Sequence, residues 1–206
     1  MKCTASFCAT SAISKHMNTS TIAYFGYGSL VNLGSLRTPY ISSHRATVKG
    51  FSRVWLSRPK VENSFASTDG LAFLSVVENP DVEIDGLLIT DHASSLPSLD
   101  ERESLYSRVN IHNDNLHLHE TAPPIDKKFL YVADEHQAGP DAKILRSYLD
   151  VVMQGYLQQF GAEGVARFID TTLNFKLEIL EDRAKPLYPR ATRLTEDEKL
   201  LFAKFR

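Results

Sequence analysis

A short turn between two apolar segments is the first place where residue types and spacing in this sequence indicate chemistry. The strand-like segment Ile-Ala-Tyr-Phe runs into Gly26, Tyr27, Gly28 and Ser29, and Leu30 follows them. Glycine lets a ligand approach the main chain closely, and such a turn can direct several backbone N–H groups at one anionic group. The alternative is an ordinary tight turn that ends a strand.

The turn does not match the known phosphate-binding or nucleophile patterns. The G-x-G-x-x-G spacing of dinucleotide-binding loops is incomplete, and no Gly-Lys-Ser/Thr follows as in a P-loop. Ser29 lacks the G-x-S-x-G context of a nucleophilic serine, and no histidine is positioned by the sequence to activate it.

A second candidate lies in the segment Ser-Leu-Asp-Glu-Arg-Glu-Ser-Leu-Tyr, residues 98–106. Ser98 followed three residues later by Glu101 predicts a helix that begins with a capping box. Asp100 suits the first turn of that helix because the helix dipole favours acidic groups there.

Glu103 is the acidic residue of this segment that capping and the dipole leave unexplained. On the predicted helix it shares a face with Leu99 and Tyr106, and Leu99 would turn that face inward. Burial raises the pKa of a carboxyl group, which suits a general acid/base near neutral pH. The structural alternative is an ion pair with Arg102 or Arg108, or exposure to water.

Alternation and turn signals predict a β-rich first half. The predicted strands cover residues 22–26, 46–57, 70–77, 84–90, 106–112 and 129–133. Turns are predicted at residues 78–81, 113–115 and 122–126.

The second half is predicted to be helical. A long helix follows Pro140, a shorter one covers residues 162–172, and a last one begins at Thr195 with Glu198 as its capping-box partner. The mixture favours an α+β fold with a strongly bent mixed sheet and helices packed outside it.

Composition describes an ordinary globular chain. With 206 residues it fits one domain, and a net charge of −2 favours neither a nucleic-acid nor a membrane partner. We expect residues 1–20 to be a disordered tail without a secretory signal, and residues 21–206 to form a single domain. Because Cys3 and Cys8 imply no disulfide framework, we expect a reducing, cytoplasmic compartment.

Two further groups of residues have both a functional and a structural interpretation. His117 and His119 would share one face of a strand and form a metal pair, or they face water in a hairpin whose turn is residues 113–115. Arg183 and Arg190 would each reach a substrate carboxylate, or they form ordinary surface ion pairs.

The turn and the acidic segment together resemble the γ-glutamylcyclotransferase-like superfamily, which includes ChaC-like and plant avirulence-induced-gene-like proteins. The sequence Tyr27-Gly28-Ser29-Leu30 resembles the Y-G-S-N/L turn of that superfamily, and residues 99–103 resemble its L-D-x-x-E segment. Leu30 stands where classical cyclotransferases carry Asn and the ChaC-like branch carries Leu. The E-x-x-Y-x-R spacing from Glu103 is similar to the plant-type branch.

The resemblance implies a compact barrel-like core with flanking helices, and residues 140–206 as a helical extension. It implies that Glu103 is the acid/base and that the enzyme uses no metal or cofactor. The implied reaction closes a γ-glutamyl compound to 5-oxoproline and releases an amine, amino acid or peptide. The expected substrate-binding residues are Tyr27, Gly28, Ser29, Leu30, Tyr106 and Tyr131.

Two rival hypotheses keep the same fold and pocket. The first is a binding or regulatory protein without turnover. The second is an enzyme that acts on a different amide, because a fold does not dictate a function.

Overall fold

The computed structural model describes residues 20–57, 70–123, 125, 127–133 and 142–205, which contain nine strands and three α-helices. The strands are β1 (Thr21–Gly26), β2 (Ser42–Ser57), β3 (Ala72–His92), β4 (Tyr106–Asn110), β5 (Leu116–Leu118), β6 (Lys127–Ala133), β7 (Ile144–Leu145), β8 (Thr172–Leu173) and β9 (Ile179–Leu180). The helices are α1 (Leu96–Arg102), α2 (Arg146–Asp170) and α3 (Glu196–Ala203). The predicted N-terminal tail up to residue 19, with both cysteines, lies outside the described residues. No helix in the described part of the chain is both long and apolar enough to cross a membrane.

Seven strands form one mixed sheet. Its order is β4-β6-β1-β3-β2-β5, and β8 also pairs with β2. The β1–β6 and β2–β8 pairs are parallel, and the other pairs are antiparallel. A small second sheet pairs β7 with β9. The predicted α+β class with a mixed sheet is therefore confirmed.

The chain itself forces the sheet to curl. Strands β4 and β5 stand at opposite ends of the six-strand order, yet only residues 111–115 connect them. From Ile111, which still pairs with β6 through Lys128, the chain to Leu116 reaches about 17 Å. Six strands in a flat sheet would separate the outer two by about 24 Å. The predicted turn at residues 113–115 is present, but it joins the two ends of a bent sheet and not the strands of a hairpin.

The predicted turn at residues 78–81 is wrong, because β3 runs through it. The pairing of β3 with β2 jumps from Asn79 opposite Gly50 to Glu83 opposite Lys49. Residues 80–82 of β3 are thereby inserted as a bulge. Pro80 is tolerated in this bulge because its missing N–H group is not needed for strand pairing there. Gly50 adopts a φ of 97° beside the bulge, a conformation that favours glycine.

The helices predicted for the second half are present, but the short strands β7, β8 and β9 in that half were not predicted. Helix α2 is broken at Gly161, where φ is 69° and ψ is −171°, so two helical segments meet there. Thr195 and Glu198 form the expected capping box of α3: the Glu198 N–H donates to the Thr195 hydroxyl, and the Thr195 N–H donates to the Glu198 carboxylate.

A buried arginine joins α2 to the sheet. The guanidinium of Arg53, a residue only 1% exposed, lies 5.0 Å from the ring centre of Tyr156 and 5.3 Å from that of Phe168. It also donates to the backbone carbonyl of Asp85 at 2.6 Å. The two rings and the carbonyl offset part of the cost of burying this charge.

Helix α2 also packs directly onto the chain that follows β1. A Cβ added at Gly155 would lie 2.5 Å from the backbone nitrogen of Asn32. The Asn32 side chain donates to the Val151 carbonyl at 3.1 Å and to the Gln154 side chain at 3.0 Å. Gly155 therefore sets how closely the helix and the turn can approach.

Replacing Gly155 with alanine tests this close approach. Alanine in a helix interior gains about 1 kcal/mol over glycine, whereas overpacking against fixed backbone costs about 1–3 kcal/mol. We expect Gly155→Ala to lower the free energy of unfolding in urea by up to about 2 kcal/mol, which is the overpacking cost less the gain in helix propensity. The exposed control Gln158→Ala should change it by less than about 0.5 kcal/mol. A Gly155→Ala variant more stable than wild type would contradict the contact.

Candidate functional site

Glycines in the turn after β1 allow close packing. Strand β1 ends at Gly26, and a short 3₁₀ turn covers Ser29–Val31. A Cβ at Gly26 would lie 2.6 Å from the Cβ of Leu30, and one at Gly28 would lie 2.9 Å from the Tyr148 hydroxyl. Any larger residue at either position would push these groups apart.

The turn after β1 carries two backbone N–H groups that its own 3₁₀ hydrogen bonding does not use. The first donor used inside the 3₁₀ turn is the Val31 N–H, which bonds the Gly28 carbonyl at 3.0 Å. The preceding N–H groups of Ser29 and Leu30 lie before the first intrahelical bond, as at any helix start. The Ser29 backbone N–H donates to the Tyr148 hydroxyl, which acts to lower the pKa of Tyr148 against the larger, opposite effect of burial.

The buried side chain of Tyr27 is hydrogen-bonded to strand β6. Tyr27 is 7% exposed, and its hydroxyl donates to the Tyr131 carbonyl at 2.6 Å. The Tyr131 hydroxyl in turn donates to Asp100 at 2.9 Å. Burial, followed by the hydrogen bond with Asp100, raises the pKa of Tyr131.

The predicted start of the acidic helix is wrong by three residues. Helix α1 begins at Leu96 with Ser95 as its N-cap, and the Ser98 hydroxyl donates back to the Ser95 carbonyl at 2.8 Å. Pro97 explains the shift, because proline is favoured in the first turn of a helix, where its missing N–H costs nothing. The capping box of Ser98 with Glu101 does not form.

Glu103 is consequently the C-cap of α1 and not a residue of its inward face. Its N–H donates to the Leu99 carbonyl at 3.0 Å, and its carbonyl accepts from the Tyr106 N–H at 2.8 Å. Tyr106 begins β4, so the predicted helical face shared by these residues is also wrong. The position of the Glu103 carboxylate is therefore determined by the tight turn between α1 and β4.

The Glu103 carboxylate forms the ion pair that was the structural alternative. Its Oε1 accepts from the Arg102 Nε at 2.9 Å, and its side chain is 19% exposed. Arg108 pairs instead with Asp100 at 3.2 Å. Although it is paired, Glu103 still faces a cavity, because both Arg102 and Glu103 line it.

One cavity of about 540 Å³ brings the predicted site residues together. All seven of them line it: Tyr27, Gly28, Ser29, Leu30, Glu103, Tyr106 and Tyr131. The Tyr106 hydroxyl donates to the Leu74 carbonyl at 3.2 Å, and its ring packs edge-on against Phe73. Seven of the described lining residues are aromatic and one other, Glu103, is acidic, a composition found in many small-molecule sites.

The fold around this cavity is similar to that of several solved structures. One, described as a gamma-glutamyl cyclotransferase, aligns over 90% of this chain and 99% of its own, with a TM-score of 0.56 and 15% identity. The human protein loc79017, described as uncharacterized, aligns over 89% of this chain and 99% of its own, with a TM-score of 0.54 and 16% identity. YkqA from Bacillus subtilis aligns over 71% of this chain and 52% of its own, with a TM-score of 0.55 and 15% identity. No family model matches this sequence, and neither does any curated protein.

The chain has the γ-glutamyl cyclotransferase fold. The fold expected from the resemblance is thereby confirmed. At these identities the likeness establishes architecture, so the roles of individual residues rest on the geometry of the cavity.

The C-terminal part of the chain forms one side of the cavity. Tyr148 of α2 lines the cavity, and Tyr188 meets it edge-on with ring centres 4.9 Å apart. Sequence reasoning missed both. Tyr148 belongs to an apolar helical pattern that predicts only core packing, and no local signal brings Tyr188 to the site.

A loop that we call the strap (residues 182–190) carries Tyr188 to the cavity. Asp182 anchors it by accepting from the N–H and hydroxyl of Ser147 at 2.7 and 2.5 Å, and from the Leu187 N–H at 2.9 Å. Arg183 forms a two-point ion pair with Asp150 at 2.7 and 2.8 Å. Of the two arginines singled out in the sequence, Arg183 is thus occupied, whereas Arg190 lines the cavity.

The histidine pair lies away from the cavity. His119 hydrogen-bonds the Thr47 hydroxyl at 2.7 Å, and the His117 ring lies 5.6 Å from the His119 ring. Within the described ranges, no group of three or more His, Cys, Asp or Glu side chains is placed to hold a metal ion.

Buried tyrosines in the cavity wall predict a loss of stability at high pH. Burial raises the pKa of Tyr27 and Tyr148 well above the ordinary 10.0. Above pH 10 the unfolded chain releases these protons and the folded chain keeps them, so each tyrosine lowers the free energy of unfolding by up to about 1.4 kcal/mol per pH unit. Tyr148→Phe should make this decline shallower by that amount.

Urea unfolding at several pH values between 9 and 11.5 measures the decline. Below pH 9 the wild type and Tyr148→Phe should show parallel pH dependence, because the phenol is protonated in both states. Parallel curves above pH 10 as well would contradict the shielding of this hydroxyl.

Proposed function

We propose that this protein is a γ-glutamylcyclotransferase-type enzyme with Glu103 as its general acid/base. The observation that carries the proposal is that the Glu103 carboxylate and the turn of residues 27–30 line the same cavity. The proposed substrate is a small γ-glutamyl compound, and the reaction needs no cofactor. We propose the cytoplasm as its compartment, since two cysteines without a disulfide framework favour a reducing environment.

The proposed reaction uses a nucleophile that the substrate carries. The α-amine attacks the carbonyl carbon of the side-chain amide, a C–N bond closes the five-membered ring, and the bond to the leaving nitrogen breaks. The products are 5-oxoproline and a released amine, amino acid or peptide. Holding the glutamyl chain bent makes the attack intramolecular, which can lower the barrier by roughly 7–11 kcal/mol.

The remaining requirements are proton transfer and stabilisation of negative charge. Glu103 accepts a proton from the α-ammonium group and delivers one to the leaving nitrogen. Arg102 orients the carboxylate through Oε1, so we assign the proton transfers to Oε2. The Leu30 N–H is the donor that we assign to an anionic oxygen of the substrate.

Release of 5-oxoproline from a γ-glutamyl panel tests the proposal. The panel contains glutathione, γ-glutamyl amino acids and γ-glutamyl amines. Glu103→Gln keeps the shape of the side chain but removes proton transfer, so we expect kcat to fall by at least about 100-fold. The matched control Glu101→Gln changes an exposed acid of the same helix and should retain turnover.

Each other outcome identifies a different error. Turnover that survives in Glu103→Gln would show that another group is the base. Binding of γ-glutamyl compounds by wild-type protein without 5-oxoproline formation would favour the silent binding protein. Activity on an amide without a γ-glutamyl group would favour the second rival.

A further inference from the structure

The mouth of the cavity carries two exposed leucines. Leu105 is 58% exposed and Leu187 is 51% exposed, and both line the cavity. Leu105 lies in the turn between α1 and β4, whereas Leu187 belongs to the strap. The two leucines therefore come to the cavity from distant parts of the chain. Covering these two side chains with an apolar group of a bound ligand would remove apolar surface from water, which is favourable.

Arg190 lines the same cavity and has no acidic partner among the residues that the structure describes. Its Nη2 lies 3.5 Å from the Ser29 hydroxyl, and its guanidinium stacks over the Tyr188 ring at 5.4 Å. Among the described residues no carboxylate lies within salt-bridge distance of it, whereas the other lining cation, Arg102, is paired with Glu103. An arginine held in this way can bind a carboxylate through two hydrogen bonds.

The charges that line the cavity favour an anionic substrate. Within the described part of the chain, the charged residues that line the cavity are Arg102, Glu103 and Arg190, so their net charge is +1. The glutamyl part of the substrate contributes one carboxylate and one ammonium group, which cancel. A γ-glutamyl amine therefore leaves the charge of Arg190 unbalanced, whereas one further carboxylate in the leaving group neutralises it.

We propose that the leaving group is an α-amino acid with an apolar side chain. Its carboxylate binds Arg190, and its side chain packs against Leu105 and Leu187. When the amide bond breaks, the leaving nitrogen takes the proton from Glu103 and the amino acid departs with its carboxylate intact. This inference rests on the proposed function and names the substrate class of that site.

Two γ-glutamyl compounds that differ by one carboxylate test the role of Arg190. They are γ-glutamyl-leucine and γ-glutamyl-isopentylamine, which is the same compound without the leucine carboxylate. We expect wild-type kcat/KM to favour γ-glutamyl-leucine by about 10- to 100-fold, the range for a hydrogen bond to a charged group. Arg190→Gln should bring the ratio near one, and Arg190→Lys should restore part of it.

The control for charge is Arg193→Gln, which removes an exposed arginine three residues along the chain that does not line the cavity. It should keep the wild-type preference. A ratio that Arg190→Gln leaves unchanged would overturn the proposal. So would an equal loss on both compounds, because Arg190 would then bind the glutamyl part of the substrate.

The apolar contact has its own test. We expect Leu187→Ser to reduce the preference for γ-glutamyl-leucine over γ-glutamyl-glycine by about fivefold, as for loss of roughly one to two buried methylene groups. Leu200→Ser removes a leucine that is 66% exposed on α3 and does not line the cavity, and it should leave the preference unchanged. No preference for leucine over glycine in wild type would overturn this part.

Calorimetric binding in the Glu103→Gln background separates this inference from the proposed function. If wild type forms no 5-oxoproline from any compound, the proposed reaction fails, yet Arg190 is still tested by binding. Tighter binding of γ-glutamyl-leucine than of γ-glutamyl-isopentylamine, lost in the Glu103→Gln, Arg190→Gln double variant, would support the carboxylate site. Equal binding of the two compounds would overturn it.

Discussion

The close packing of α2 against the turn after β1 is the constraint on which the cavity depends. Because Gly155 has no side chain, the helix backbone lies directly against Asn32, and polar groups on both sides are satisfied there. The hydroxyl of Tyr156, the next residue, lies within hydrogen-bond distance of both the Tyr27 and Asp85 carbonyls, which share its one proton. A turn that would otherwise be a surface loop is thereby held as a wall of the cavity.

The same helix links that wall to the C-terminal segment. Gln154 accepts from Asn32 and from Thr192 at 2.6 Å, and it donates to Glu198 at 3.1 Å. At the start of the helix, Ser147 anchors the strap through Asp182. These hydrogen bonds are buried or partly buried, so breaking one leaves a polar group without water and costs more than the bond itself contributes. Residues of the strap reach the cavity because α2 holds both ends of this network.

Glu103 shows how backbone geometry can replace a helical face. The residue is positioned by two backbone hydrogen bonds in the turn between α1 and β4, and Arg102 orients its carboxylate. A group held in this way is preorganised, which proton transfer at one defined position requires. The ion pair and the cavity are therefore compatible, although in the sequence they stood as alternatives.

Local patterns in the sequence predicted the main strands and helices, the turn of residues 27–30 and Glu103, whereas Tyr131 was named only from the family resemblance. Glycines beside an aromatic strand, an acidic residue without a capping role, and helical periodicity after Pro140 are all short-range signals. They misplaced the start of α1, because Pro97 outweighed the Ser98 signal, and they missed the bulge that carries β3 through a predicted turn. The tertiary structure alone decided that α2 and the strap close the cavity, since contacts such as Ser29 with Arg190 join residues with no local relationship in the chain. Packing and charge pairing in three dimensions determine which arginine is occupied and which one faces the pocket, and no spacing rule encodes them.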